Sequence, residues 1–425
     1  MALTVIAGLL SRLYFYFKFS YNPISDPMTF YDTARAIAAG QSVHGDGYVA
    51  QFPYLAAYNN LLGVAMKIIP DPWLATILLN TLFDVLAAGI IYILLRKILR
   101  SGSNIPLIIF IIWILNPANV LYSLLSIPVI VVNFLIVAAI LVAHNLLRYA
   151  LESNTKCTLL YSVLFGLLIG YGNSFRPIFV VAIVAVALVY VMSFMRRGGS
   201  VRLLKLPTVS LLIVLAIFLG AQKINTNIVS NQIGIQVAEN PSGVSLYVGS
   251  SWETTGQWKP YMNSEMIEIC KESFANLKYE ECHAKLRQVA VERYKNLGVI
   301  NLGFLFISKL YHQAELQNYI YNAYQSIDGY EKSTTAKLMN FLLVMYVTVL
   351  FLLSTASLYW LSRCTPHDFA THSTVIFLAL TLIGWFLSFM VMESAPRYST
   401  ILYPIFMVFL AIALDNSSRL KWINR

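Results

Sequence analysis

Between Arg100 and Arg148 the chain runs 47 residues without an Asp, Glu, Lys or Arg. Similar uncharged runs cover 206–222, 338–362 and 369–392. One crossing of a bilayer core takes about 20 apolar helical residues, so the chain reads as a polytopic membrane protein. Its fold class is therefore all-α. The remaining polar residues carry most of the information.

Composition agrees: 58% of the 425 residues are hydrophobic and 12% are charged, a balance outside the range of soluble domains. The net charge of +10 is not a nucleic-acid signature here, because excess Lys and Arg in a membrane protein marks the cytoplasmic loops. No nucleic-acid partner is expected. The N-terminal apolar stretch leads into Arg12 and Lys18 without a small-residue cleavage site. Only eleven residues precede Arg12; either the start of the chain is trimmed, or Arg12 is expected near the exit of the first span, snorkelling to the surface.

Apolar length suggests about ten spans, near 2–19, 72–95, 105–122, 127–147, 158–172, 177–195, 206–222, 338–362, 370–392 and 400–414. Starting from a cytoplasmic N-terminus, the inside segments hold Arg96, Lys97, Arg100, Arg148, Lys156, Arg196, Arg197, Arg202, Lys205, Arg363, Arg419, Lys421 and Arg425. The short outside segments hold only Arg35, Lys67, Arg176 and Arg397. Thirteen against four fits the positive-inside rule.

Three regions follow. Residues 1–222 form an N-terminal bundle whose first external loop is 20–71, residues 223–337 form a large external loop, and 338–425 hold the last spans and a cytoplasmic tail. Within the first loop, Pro27 to Gly40 and Tyr54 to Ile69 read as helices lying in the interface. The 11 basic residues of the large loop are exempt from the orientation rule, since long loops translocate regardless of charge. Cys270 and Cys282 share that loop; they are either free thiols, like Cys157 and Cys364, or a bridge if the loop faces an oxidising compartment.

Acids and arginines gather at the outer span ends. Ser25-Asp26-Pro27-Met28-Thr29-Phe30-Tyr31-Asp32 places a carboxylate just beyond the first span. Pro27 suits a first helical turn, so Asp26 or Ser25 reads either as a cap or, for Asp26, as a general base at the membrane surface. Asp32 is off that helical face and is expected to pair with Arg35 or Arg176. Arg176 precedes Pro177 at another outer end, as snorkelling anchor or phosphate ligand. Glu393-Ser394-Ala395-Pro396-Arg397-Tyr398 lies between two later spans, as an interfacial ion pair or a second half of one site.

The large loop offers Lys309, Tyr311 and His312 as a polar cluster, either a solvated loop face or a contact for phosphate or acceptor. Trp252, Trp258 and Tyr261 suit sugar stacking or loop packing. His44 and His283 are lone, without metal-ligand spacing. Asp84, inside a span, is costly to bury and is expected to pair with Asn80 one turn away.

These features together resemble the GT-C membrane glycosyltransferases, in the branch of the protein O-mannosyltransferases and aminoarabinose transferases. The resemblance rests on Asp26 to Gly40 followed by Gln51-Phe52-Pro53-Tyr54. It also rests on Arg176-Pro177, on Glu393 with Arg397-Tyr398, and on Gly243-Val244-Ser245-Leu246-Tyr247-Val248-Gly249 with Gly256-Gln257-Trp258. Many family members carry two nearly adjacent acids where this chain has Asp26 and Asp32. The resemblance implies inverting transfer of a sugar from a polyprenyl-phosphate carrier to a glycan, lipid or protein acceptor on the outer face of a plasma membrane. The outer regions have no Asn-x-Ser/Thr sequon, which favours a bacterial one. Asp26 is the expected base. Arg176 and Arg397 are expected to hold phosphate, with Asp32, Arg35, Glu393, Tyr398, Lys309 and His312 as further substrate contacts. No motif demands a metal or another cofactor, although clustered carboxylates are able to bind a divalent ion. An O-antigen-type polymerase or ligase, and a lipid-linked-sugar transporter or flippase, are the competing readings.

Overall fold

A computed structural model describes residues 1–99, 102–196, 205–314, 321–361 and 369–423. Arg100, Arg197, Arg202, Arg363, Cys364 and Arg425 lie outside the described residues, as do the side chains of Arg397, Arg419 and Lys421. In chain order the helices are α1 (Ala2–Lys18), α2 (Asp26–Ala38), α3 (Gly47–Gln51), α4 (Leu55–Ile68), α5 (Pro72–Ile98), α6 (Ile105–Ile114), α7 (Pro117–Ser123), α8 (Val129–Leu151) and α9 (Thr155–Asn173). There follow α10 (Val180–Arg196), α11 (Lys205–Ile233), α12 (Gly243–Gly249), α13 (Pro260–Ala275), α14 (Tyr279–Ala314), α15 (Tyr321–Ser326), α16 (Thr334–Leu361), α17 (Phe369–Val391), a 3₁₀ turn (Pro396–Leu402) and α18 (Tyr403–Ile423). Two short strands, β1 (Ser20–Tyr21) and β2 (Ile327–Asp328), pair antiparallel.

Six helices are long and apolar enough to cross a membrane, and a seventh counts if α6 and α7 are one span bent by 43°. The sequence led us to expect about ten. Three of those expected spans fall on shorter apolar helices: α1 and α10 have 17 residues each, and the last runs Thr400–Asp415. The span expected at 105–122 is broken because Pro117 removes a backbone donor inside the apolar run. The Asn116 side chain caps the new start by accepting from the Ala118 N–H at 2.9 Å. In contrast α11 has 29 residues, about 43 Å long. It therefore runs well past the end expected at Gln222 and into the external insert.

α8 is apolar on every side and buried along most of its length, which marks the centre of a bundle. α9, α5 and α17 pack around it, and α9 in turn pairs with α11. That pairing depends on Gly166 and Gly170, a small-xxx-small stripe. A Cβ on Gly170 would stand 2.7 Å from Ala221 Cβ. α5 starts sharply because Pro72 takes the first turn and Asp71 accepts from the Leu74 N–H at 2.8 Å.

Arg12 does not snorkel. It is buried, and its guanidinium reaches Asp84 Oδ2 at 2.5 Å, Ser123 Oγ at 2.9 Å and the Gly8 carbonyl at 2.8 Å. Asp84 Oδ1 accepts from Trp113 Nε1 and Asn119 Nδ2, both at 2.8 Å. The expected Asp84–Asn80 pair is absent, because Asn80 is used otherwise. It donates to the Ser123 and Leu125 carbonyls and accepts from Tyr58. A buried charge survives only when paired and fully hydrogen-bonded, and α1, α5, α6 and α7 together supply those partners.

Outside the bundle, α12, α13 and α14 close a small core around Tyr247, Met262 and Leu286, and α3, the end of α11 and the start of α14 close another around Val49, Ile233 and Tyr279. Cys270 and Cys282 are bonded to each other, with 5.0 Å between Cα atoms, so these two thiols are not free; Cys157 is. The β1–β2 ladder ties the exit of α1 to the end of the insert just before α16.

Candidate functional site

α2 begins at Asp26 for a local reason. Pro27 presets the first turn, and an acid there is favoured by the positive end of the helix dipole. Ser25 occupies the cap position in a left-handed conformation (φ 57°) and makes no side-chain cap bond. The Asp26 carboxylate is half-buried and accepts from the Tyr48 hydroxyl at 3.3 Å. Tyr48 is held by α3, which Asp46 caps by accepting from the Tyr48 and Val49 N–H groups.

Two other turns at helix ends supply the counterpart. Arg176 follows α9 in a tight turn (its N–H donates to the Gly172 carbonyl at 3.2 Å) and lays its guanidinium 4.1 Å from the ring centroid of Tyr398. Tyr398, on the 3₁₀ turn, stacks on Phe389 and donates to Glu393 Oε2 at 3.0 Å. A guanidinium stacked by its face directs its N–H donors sideways, the geometry a phosphate oxygen needs.

Tyr54 stands where these groups meet. Burial pushes its hydroxyl well above the ordinary tyrosine value; Tyr398, Glu393 and Asp26 push the same way, and Arg176 opposes them. One hydroxyl is thus within electrostatic reach of Asp26, Arg176 and the Glu393–Tyr398 turn, three stretches far apart in the sequence. In the sequence Tyr54 marked only the start of an interfacial helix and part of the quoted family segment, with no role of its own; its place right after Phe52-Pro53 was the available signal.

The other expected contacts fall elsewhere. Asp32 and Arg35 are exposed; Asp32 pairs with neither Arg35 nor Arg176, and Arg35 lies 5.8 Å over the Tyr31 ring. One helical turn separates Asp32 from Arg35, yet both extend into water, where such pairs gain little. The side chain of Arg397 lies outside the described residues.

Lys309, Tyr311 and His312 are not on a loop but in α14, and Lys309 is fully buried. Its ammonium donates to the Met390 carbonyl at 2.7 Å, the Met392 carbonyl at 3.0 Å and the Tyr294 hydroxyl at 3.1 Å. A cation on the last carbonyls of α17 is where the helix dipole favours one. Burial nevertheless pulls Lys309 down to about 7. His312 Nε2 shares a 2.8 Å hydrogen bond with Thr255 Oγ1. Ser394 completes the joint, donating from its N–H to the Gly256 carbonyl at 2.8 Å and from its hydroxyl to the Lys309 carbonyl at 3.0 Å. Lys309 therefore positions the turn that carries Glu393 and Tyr398.

Trp252, Trp258 and Tyr261 are exposed on the insert. His283 is buried, and its Nε2–H donates to the Gln51 carbonyl at 2.9 Å. Among the described residues, no three His, Cys, Asp or Glu side chains gather as a metal would require.

An apolar groove of about 920 Å³ opens between α1, α7 and α16, lined by Phe15, Leu342, Tyr346 and Val349, with Lys18 at its rim beside Tyr14 and Thr335. Beyond that rim, Tyr21 of β1 bonds Ser126, which in turn donates to the Pro27 carbonyl at the start of α2. No family model matches this chain, and no curated protein matches it.

Proposed function

We propose that this protein is an inverting glycosyltransferase of the GT-C type, resembling the protein O-mannosyltransferase and aminoarabinose-transferase branch. It takes a sugar from a polyprenyl-phosphate carrier and delivers it to a glycan, lipid or protein acceptor on the outer face of a bacterial plasma membrane. In this reading α1, α10 and the Thr400–Asp415 stretch also cross, giving about ten spans, and the insert with its Cys270–Cys282 bond faces the oxidising side. The observation that carries the proposal is Arg176 lying over Tyr398, which donates to Glu393, with Asp26 held by Tyr48 and all of these within electrostatic reach of Tyr54.

The chemistry follows from the charges. Asp26 accepts the proton of the acceptor hydroxyl, whose oxygen forms a bond to the anomeric carbon from the side opposite the phosphate. The bond from that carbon to the phosphate oxygen breaks, and its electron pair leaves on the prenyl phosphate. Negative charge grows on the phosphate, where Arg176 stabilises it; Arg397 adds a second guanidinium by its place in the sequence. Tyr398 and Glu393 hold Arg176 in orientation. Tyr48 holds Asp26. The groove below Lys18 offers the prenyl chain an apolar bed at the membrane.

The transporter reading predicts charged or broken helices near mid-membrane; α6 and α7 form one bent pair, whereas the buried acid Asp84 is locked by three donors. The polymerase reading draws on Arg and His of the large loop, where His283 bonds the Gln51 carbonyl of α3 and His312 bonds Thr255. The test is transfer from labelled polyprenyl-phosphate sugars by membranes with and without this protein. Transfer with inverted anomeric configuration, only where the protein is present, is the expected result. Equal transfer by both membranes, or a product that retains configuration, overturns the proposal.

A further inference from the structure

α14 changes character at Gly298. That residue has φ 72° and ψ 162°, a conformation only glycine adopts without strain, and the helix kinks there. Before the kink the helix wears charge outward, with Arg287 paired to Glu280 and Arg293 to Glu265. After it the pattern inverts. Val299, Ile300, Phe304, Ile307 and Tyr311 are 59% to 87% exposed, while the one formally charged residue of the segment, Lys309, is buried. Residues 300, 304, 307 and 311 fall on one helical face, so the outward stripe is apolar and the inward one polar. In water this arrangement would be inside-out.

What the stripe faces follows from where the half-helix sits. Lys309 and Tyr294 bond the Val391, Met390 and Met392 carbonyls at the end of α17. α17 is one of the candidate spans, and its own outward residues Ile383, Leu387 and Val391 form an exposed apolar stripe. α14 packs against α17 there, so the two stripes belong to adjoining elements.

We propose that residues 299–314 are a membrane-inserted half-helix, its apolar face buried in the lipid of the leaflet next to the external insert. The occupant is bilayer lipid, since the stripe continues the lipid-facing side of a span and bears no charge to read a headgroup. Phe304 and Ile307 enter the acyl boundary, and Gly298 marks the level at which the insert leaves it. The consequence reaches the site. Through Lys309 and Ser394, this half-helix is bonded to the turn carrying Glu393 and Tyr398, so insertion sets the height of that turn above the membrane. The inference rests on the membrane reading of the chain and not on the identity of any sugar or carrier.

The test uses full-length protein in phosphatidylethanolamine–phosphatidylglycerol vesicles, with Cys157→Ser and Cys364→Ser and the Cys270–Cys282 bond kept. Nitroxides are placed one at a time at Ile300→Cys, Phe304→Cys, Ile307→Cys and Tyr311→Cys, with Glu292→Cys before the kink as the aqueous reference. We expect collision with oxygen to exceed collision with a water-soluble nickel chelate severalfold at 304 and 307, with the reverse at 292. Nickel access at 304 and 307 equal to that at 292 overturns the proposal, because the face is then in water. Low access to both probes overturns it too, because the face is then covered by protein, for example by a second copy. Four sites guard against one label disturbing the fold.

Discussion

Two arginine–acid assemblies in this molecule use the same ingredients and end in different states. Inside the bundle, Arg12 meets Asp84 with every neighbouring group turned toward the pair: Ser123, Gly8, Trp113 and Asn119. At the helix ends, Arg176 lies on the Tyr398 ring while Tyr398 donates to Glu393, with Arg176 and Glu393 only half-buried. The first assembly is closed and has no access for a substrate. The second stands at the surface, with Asp26 and Tyr54 in the same field. Acids and arginines near a membrane are therefore not one signal; burial and access separate a structural tie from a candidate for chemistry.

The sharpest way to break this comparison is to cut the closed pair. Arg12→Ala leaves Asp84 buried without its cation and is expected to cost about 3–5 kcal/mol of stability. Replacing both partners, as Arg12→Met with Asp84→Leu, is expected to recover most of that loss. Thermal melts in detergent check both. A double variant as unstable as the single one would mean that the pair does more than hold α1 against α5.

The joint under the open site responds to pH. An unfolded lysine holds its proton up to about 10.5, while buried Lys309 releases it near 7. Between those values the unfolded chain binds the extra proton, so stability rises with pH, by at most about 1.4 kcal/mol per unit for one proton. Melts from pH 7 to 10 should show that rise, and Lys309→Met should flatten it. A slope unchanged in Lys309→Met removes this residue as its source.

Smaller effects sharpen the open side. Arg176→Lys keeps the charge but loses the planar fork, and is expected to lower sugar transfer about tenfold with little change in melting. Tyr48→Phe removes the hydrogen bond to Asp26 and should cost about 1 kcal/mol in turnover, less than tenfold. Steady-state transfer by purified variants measures both. A Tyr48→Phe loss larger than that of Arg176→Lys would reverse the assigned weights.

Much of the scaffold could be read from the chain. Uncharged length located the long spans, and Pro27 and Pro72 marked the starts of α2 and α5 through a fixed φ and a missing donor. Asp26, Arg176, Glu393 and Tyr398 were candidates because acids and guanidiniums recur at outer span ends. The Arg12–Asp84 pair was hidden because its members are 72 residues apart and only packing brings them together. Asn80, a plausible local partner, was claimed by backbone carbonyls of the α7–α8 turn. Lys309 looked like a surface lysine, since no local pattern tells that helix-end carbonyls 81 and 83 residues away will receive it. The break at Pro117 was visible in the letters but outvoted by the apolar run around it. The inversion after Gly298 was also written there, as Val299, Ile300, Phe304, Ile307 and Tyr311 at helical spacing, in a stretch whose overall polarity pointed to a solvated loop.

The most direct test sets the two assemblies side by side. Asp26→Asn and Asp84→Asn proteins are purified, and sugar transfer from a labelled polyprenyl-phosphate donor is normalised to folded protein. The expected result is Asp26→Asn folded like the parent but about a hundredfold or more slower, and Asp84→Asn less stable yet near parental turnover per folded molecule. Parental transfer by Asp26→Asn, or an equal loss of turnover in both, would contradict it.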